Sequence, residues 1–126
     1  MRIKVIKIIE DTNEIVFETL FGVGRGHWMT KTSPKLNAYH EVEFEIPDSL
    51  VWEENVFLAK NNKELIEIDN KYLNIQGNIE QIDSDGLVVF RIGSSIILID
   101  EFKDVPPVNS FIQVKISNLR IFDTNI

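Results

Sequence analysis

The chain has 126 residues, of which 44% are hydrophobic and 10% aromatic, so it can bury a core of the size found in one ordinary domain. Its 13 Lys and Arg stand against 20 Asp and Glu, a formal net charge of -7 at pH 7. Because phosphate binding depends on clustered cations, this balance disfavours a nucleic-acid partner and favours a basic protein, and the absence of cysteine excludes disulfide bonds and thiolate metal sites.

The N-terminal segment lacks the apolar core of a signal peptide, since residues 1–5 interleave charged and apolar side chains. No stretch approaches the ~20 apolar residues that are needed to span a membrane. Even the apolar run at residues 96–99 is far too short. We therefore expect a soluble, cytoplasmic protein without membrane association.

The same order of pattern elements occurs twice in the chain, from about residue 3 to 52 and again from about 73 to 122. Each copy shows a hairpin, a third strand, a proline-marked loop and a long strand. The best-matched positions lie 70 residues apart (112 − 42): Val42, Phe44, Ile46, Val51 and Trp52 against Ile112, Val114, Ile116, Ile121 and Phe122. We predict a single domain over residues 1–126, internally duplicated, with a connecting hairpin at 56–69.

The first unit opens with alternating apolar residues at 3–9, a polar turn at 11–13 and apolar residues at 15–17, which together predict a hairpin. A short third strand is predicted at 27–29. Residues 39–46 are the clearest strand in the chain, because apolar side chains occupy one face and glutamates the other.

The second unit begins with a predicted strand at 72–82, a turn, and a second predicted strand at 87–92. The Asp-Gly pair in the turn between these two strands is a strong hairpin signal. Residues 96–99 form an unbroken apolar run, which predicts a strand buried on both faces. A long strand follows at 111–116. Because no segment shows sustained helical periodicity, we predict an all-β fold, an antiparallel small barrel or sandwich built from two similar β-units with little helix.

Two features that could carry chemistry do not support an enzyme. The glycine segment Gly22, Gly24 and Gly26 follows a strand, but a phosphate loop needs a helix after the glycines, so a bulge or sharp bend fits better. The two histidines, His27 and His40, have a spacing that matches no common metal motif. We assign no catalytic residue, metal or cofactor, and expect that the protein is not an enzyme.

An acidic strand face is the feature that most suggests binding. Glu41, Glu43 and Glu45 recur at period two, so all three point to the same side of the predicted strand. Such a face is either solvated or a docking surface for a basic protein. The candidate partner-binding residues are Glu41, Glu43, Glu45, Asp48, Glu53, Glu54 and Trp28. Tryptophans are more often core or half-buried residues than binding anchors, and of Trp28 and Trp52, Trp28 is the better candidate for an exposed anchor.

Four classes of function remain open at this point. The leading hypothesis is an acidic cytosolic protein that binds and neutralises a basic partner, as an immunity protein does when it blocks the cationic cleft of a nuclease toxin. The alternative is an oligonucleotide/oligosaccharide-binding-like β-barrel module, which a basic strip of Arg2, Lys4, Lys7 and Arg25 near Trp28 would favour. An enzyme of undetected chemistry and a subunit of a larger assembly complete the set.

Overall fold

The structure, a computed structural model, describes residues 1–124 and is built almost entirely of strands, which confirms the all-β prediction. Within those residues the one helical element is a single 3-10 turn at Glu10–Thr12. In chain order the strands are β1 (Arg2–Ile9), β2 (Glu14–Thr19), β3 (Gly22–Trp28), β4 (Tyr39–Glu45), β5 (Leu50–Val51), β6 (Val56–Leu58), β7 (Leu65–Asp69), β8 (Tyr72–Ile82), β9 (Val88–Ile92), β10 (Ser95–Ile99), β11 (Phe102–Lys103), β12 (Phe111–Ile116) and β13 (Arg120–Asp123).

Five strands close into a barrel in the order β1-β2-β3-β13-β4. The first four strands in sequence leave a gap between β3 and β4, and β13 from the C-terminal end fills it. β13 pairs parallel with β3 and antiparallel with β4. Closure removes the exposed backbone edges that an open five-stranded sheet would leave.

The remaining long strands form a second sheet in the order β10-β9-β8-β12-β6, with β7 also paired to β8. Its β10-β9-β8-β12 part has the same order as β3-β2-β1-β4 of the barrel. Strands from the two halves of the chain also pair with one another: β5 with β11, β6 with β12, and β13 with β4. The internal duplication of the sequence stays a prediction.

The connecting hairpin predicted at residues 56–69 is not formed. β6 pairs with β12 and β7 pairs with β8, so the two strands have different partners. The local pattern of two apolar runs around a polar loop fits a hairpin, but each strand instead extends a ladder of a longer strand. Both Val56 on β6 and Ile66 on β7 are buried in this arrangement.

The buried apolar side chains of the barrel and of the second sheet form one hydrophobic cluster. Phe17 and Phe44 stack inside the barrel with ring centroids 5.5 Å apart. A Cβ atom on Gly24 would lie 2.6 Å from Cζ of Phe17, so glycine on β3 makes room for that ring. The glycine segment is thus part of a strand, and no helix follows it.

Candidate functional site

The three strand glutamates lie on the outer face of β4, and all three are exposed. Glu45 accepts a hydrogen bond from Arg120 on the neighbouring strand at 2.7 Å, and Glu41 lies 3.9 Å from the N-terminal amine. Exposed pairs of this kind contribute at most ~1 kcal/mol. Within residues 1–124, Glu43 has no ion pair and lies opposite Phe122 of β13. Its charge is therefore the least compensated of the three.

Glu43 and Glu45 line a groove of about 580 Å³ between the barrel and β10 of the second sheet. The apolar wall of this groove includes Ile96 and Leu98, which are 45% and 50% exposed. We call this feature the acidic groove, defined by Glu43, Glu45, Ile96, Leu98, Asp100 and Phe122. It places carboxylates directly beside exposed apolar side chains.

The exposure of Ile96 and Leu98 corrects a prediction. The apolar run at 96–99 was expected to be buried on both faces, yet only Ile97 and Ile99 are buried. β10 is the last strand of its sheet, and the barrel covers Ile96 and Leu98 on its outer face only in part. An unbroken apolar run cannot by itself distinguish a two-sided core strand from a one-sided strand with an apolar outer surface.

Asp48 and Trp28 lie at a different place, around a cavity of about 600 Å³ that we call the end cavity. The lining residues are Thr12, Asn13, His27, Trp28, Met29, Pro47, Asp48, Asn118 and Arg120. These residues come from the turn between β1 and β2, from the end of β3, from the loop after β4 and from the start of β13 with the residues before it. The end cavity therefore lies where several barrel strands begin or end.

Trp28 is a core residue, as tryptophans more often are, and it is not an exposed anchor. Its side chain is 1% exposed, its indole N–H donates to the carbonyl oxygen of Thr32 at 2.5 Å, and its ring packs edge-on against His40. On β3 the inward-facing positions are Gly24, Gly26 and Trp28, so two residues without side chains precede one of the largest. In the sequence, two glycines at alternate positions before Trp28 are the signal that would have indicated burial of the tryptophan.

Glu53 and Glu54 are exposed in the turn after β5 and line neither the acidic groove nor the end cavity. Glu53 adopts a left-handed backbone conformation, with φ of 68°, and its N–H donates to the carbonyl of Val56 at 2.8 Å. The six acidic candidates therefore do not form one surface. The structure brings Glu43 and Glu45 together and separates them from Asp48, Glu53 and Glu54.

A second groove, of about 530 Å³, carries cations and aromatic side chains that sequence reasoning did not combine. The guanidinium of Arg2 lies 4.4 Å from the ring centroid of Tyr39, and the amine of Lys4 lies 5.9 Å from it. Leu20, at the tip of the β2–β3 hairpin, is 97% exposed and lines the same groove. We call this feature the Tyr39 groove. Because Met1, Ser94 and Ser95 also line the acidic groove, the two are contiguous.

Both histidines make polar contacts within the fold. The backbone N–H of Lys35 donates to Nε2 of His40 at 3.4 Å, while Nδ1 lies 3.4 Å from a carboxylate oxygen of Asp123, so both ring nitrogens are engaged. His27 directs Nδ1 at the carbonyl oxygen of Thr12. Across residues 1–124 no group of three or more His, Asp and Glu could hold a metal ion.

On the outer face of the second sheet, some polar side chains form hydrogen bonds with other residues of this chain. Gln76 on β8 donates to the carbonyl oxygen of Lys63 at 2.9 Å. Arg91 donates to both carboxylate oxygens of Glu80, at 2.7 and 3.0 Å, and this hydrogen bonding lowers the pKa of that carboxyl. Paired charges of this kind offer less to a ligand than the unpaired Glu43 does.

In the described part of the chain, no helix is long and apolar enough to cross a membrane. No protein-family model, curated protein or solved structure matches the chain. The acidic groove, the end cavity and the Tyr39 groove are therefore the features that indicate a function.

Proposed function

We propose that this chain binds and neutralises a basic protein by taking a cationic segment of that protein into the acidic groove. The observation that carries the proposal is the juxtaposition of Glu43 and Glu45 with exposed Ile96 and Leu98. A sheet face that only contacts solvent does not require apolar side chains beside its carboxylates. A docking surface uses both kinds of side chain, because apolar contact supplies binding free energy while charge complementarity supplies specificity and a fast association rate.

A nuclease toxin is the basic partner that we propose, with this chain as its immunity protein. Nucleases bind phosphates through clustered Lys and Arg, so their active clefts attract an acidic surface. The net charge of -7 on the whole chain would accelerate the encounter, and the groove would receive the basic side chains. Blocking the cleft would inhibit the nuclease, and this chain would not need a catalytic activity of its own.

The proposal predicts that reversing the charge of the groove abolishes partner capture. We expect the double variant E43K/E45K to bind the basic partner about 100-fold more weakly than the unmodified chain, because like charges would then meet in the groove. Thermal stability should change little, since both side chains are exposed. The measurement is a pull-down from lysate of the source organism, followed by calorimetric titration with the purified partner.

The matched control is E53K/E54K, which adds the same charge in a turn outside the groove. This control should retain the partner. If both double variants lose partner binding equally, the effect is one of net charge and not of the groove. If E43K/E45K still binds the partner fully, the docking surface is not the acidic groove. The captured protein must also be a nuclease whose activity falls when the chain is added; a partner without nuclease activity would overturn the immunity role.

A second candidate function, binding of single-stranded nucleic acid, is favoured by one observation. The closed five-stranded barrel carries Arg2 and Lys4 beside an exposed aromatic ring, Tyr39, as base stacking with phosphate contacts would require. Lys7 and Arg25 lie in one cross-strand row on either side of Val16. Trp28, which was expected to assist, is buried.

We expect no saturable binding of a fluorescent oligothymidylate to the chain at physiological salt, because Glu18 lines the same groove as Arg2 and Lys4 and the whole molecule is acidic. Fluorescence anisotropy measures this directly. Saturable binding that is lost in R2E/K4E and weakens steeply with added salt would replace the first proposal by the second.

A further inference from the structure

The end cavity contains a carboxylate whose hydrogen bonding is incomplete. The Oδ1 atom of Asp48 is buried and has no hydrogen-bond partner, and no ion pair to Asp48 occurs within residues 1–124. Its Oδ2 atom accepts only two long hydrogen bonds, from the backbone N–H and the hydroxyl of Ser117, at 3.4 and 3.3 Å. A buried charged oxygen without a donor is costly, so this position is suited to a ligand that supplies one.

Two other polar side chains of the lining, those of His27 and Asn13, can offer acceptors. The Nδ1 atom of His27 lies 3.3 Å from the carbonyl oxygen of Thr12, and the tautomer that donates this hydrogen bond has Nε2 as an acceptor. The amide nitrogen of Asn13 donates to the carbonyl oxygen of Trp28, which leaves its Oδ1 atom as an acceptor. Both residues line the end cavity together with Asp48.

The cationic side chain in the lining already has an anionic partner. Arg120 lines the end cavity, but its guanidinium is bound to the Glu45 carboxylate at 2.7 Å. The carboxylate of Asp48 is therefore the charge that a ligand would meet without a partner. A donor-rich cation fits this surrounding better than an anion or an apolar group.

We propose that the end cavity binds a primary ammonium group, with Asp48 as its counter-ion. An ammonium group has three N–H donors, and Asp48, His27 and Asn13 together provide acceptors for them. A guanidinium fits less well, since its planar fork prefers both oxygens of one carboxylate and Oδ2 of Asp48 already faces Ser117.

The source of the ammonium group is the side chain of a lysine on the basic partner, a step that rests on the proposed function. Glu45 lines the acidic groove, and Arg120, which it binds, lines the end cavity. A segment in the groove can therefore extend past this ion pair and direct a lysine to Asp48. Groove and cavity would then recognise neighbouring parts of one partner.

The test uses the full chain, isotope-labelled for two-dimensional NMR, and a small probe. We expect n-butylammonium chloride to cause saturable shifts of the backbone amides of His27, Asp48 and Asn118, with an affinity on the order of millimolar. Tetramethylammonium carries the same charge but no N–H donor, and we expect it to bind at least about tenfold more weakly. Equal effects of the two cations would overturn the proposal, and this comparison needs no variant.

The variant D48N should lose butylammonium binding, whereas E53Q, which removes the same charge from a residue outside the cavity lining, should keep it. Dispersed amide resonances would show that D48N is folded. Unchanged binding in folded D48N would overturn the assignment of Asp48 as counter-ion.

Two further outcomes separate this inference from the proposed function. If D48N weakens capture of the basic partner by about tenfold, the ammonium comes from a partner lysine. If butylammonium binds and partner capture is unaffected by D48N, the partner-lysine step is overturned and the site takes a free amine. Failure of the ammonium test together with loss of capture in E43K/E45K would overturn this inference and leave the proposed function intact.

Discussion

Replacing Trp28 with alanine is expected to lower the free energy of unfolding by about 3–5 kcal/mol, the cost of truncating a large aromatic side chain in a packed core. Trp28 is among the largest fully buried side chains of the chain, and its removal leaves a void inside the barrel next to His40. The truncation also leaves the carbonyl oxygen of Thr32 without its indole donor. Urea denaturation followed by circular dichroism measures the change.

The adjacent residue supplies the control. Met29 is 47% exposed, so M29A should change the free energy of unfolding by less than ~1 kcal/mol. The variant W28F keeps a six-membered aromatic ring but loses the indole N–H and part of the ring volume, so it should fall between the two. A similar small loss for W28A and M29A would mean that the barrel interior does not depend on the indole.

Replacing Gly22 with alanine is expected to lower the free energy of unfolding by about 2–4 kcal/mol. Gly22 has a φ of 130°, and a Cβ atom there would collide with the backbone carbonyl of Ile66 on β7. The N–H of Ile66 donates to the carbonyl oxygen of Phe21 at 2.9 Å, so this contact joins the barrel to the second sheet. Relief of the clash requires that β3 and β7 move apart.

Gly86 is a matched control for the backbone strain. It also has a positive φ, of 90°, but a Cβ atom there would meet nothing within 4 Å. We therefore expect G86A to cost only about 1 kcal/mol. Equal losses in the two variants would show that the contact with Ile66 adds nothing to the conformational strain.

The unfolding curve of G22A also tests the predicted single domain. If the barrel and the second sheet unfold as one unit, circular dichroism and tryptophan fluorescence will give coincident transitions in the unmodified chain and in G22A. The shared hydrophobic cluster and the pairing of β13 with β4 favour this result. Two separated transitions in the unmodified chain would contradict the prediction.

The three surface features have a common structural basis in β4 and its neighbours. Glu43 and Glu45 project outward from β4 into the acidic groove, and Asp48 follows in the next loop and reaches the end cavity. Tyr39, at the other end of the same strand, lines the Tyr39 groove. One strand therefore presents carboxylates along most of its length and an aromatic ring at its start, which makes it the preferred target for mutagenesis.

The sequence by itself determined the elements that depend on neighbouring residues. The alternation on β4 predicted which face carries the glutamates, and the Asp-Gly pair predicted the turn between β8 and β9, where the N–H of Asp83 donates to the carbonyl oxygen of Leu87. Both signals are local, because a period of two and a turn preference act within a few residues. The all-β fold class follows from the same patterns.

Only the tertiary structure decided how the strands are closed and which of their faces are covered. The pairing of β13 with β3 and β4 joins residues that are about 75 to 93 positions apart, as Arg120 with Glu45 and with His27 show. This pairing closes the barrel around Trp28 and brings Arg120 to the end cavity. The exposure of Ile96 and Leu98 likewise depends on the tertiary structure, because the barrel covers their side of β10 only in part. Long-range pairing is set by the packing of whole sheets, which the residues of one strand do not encode.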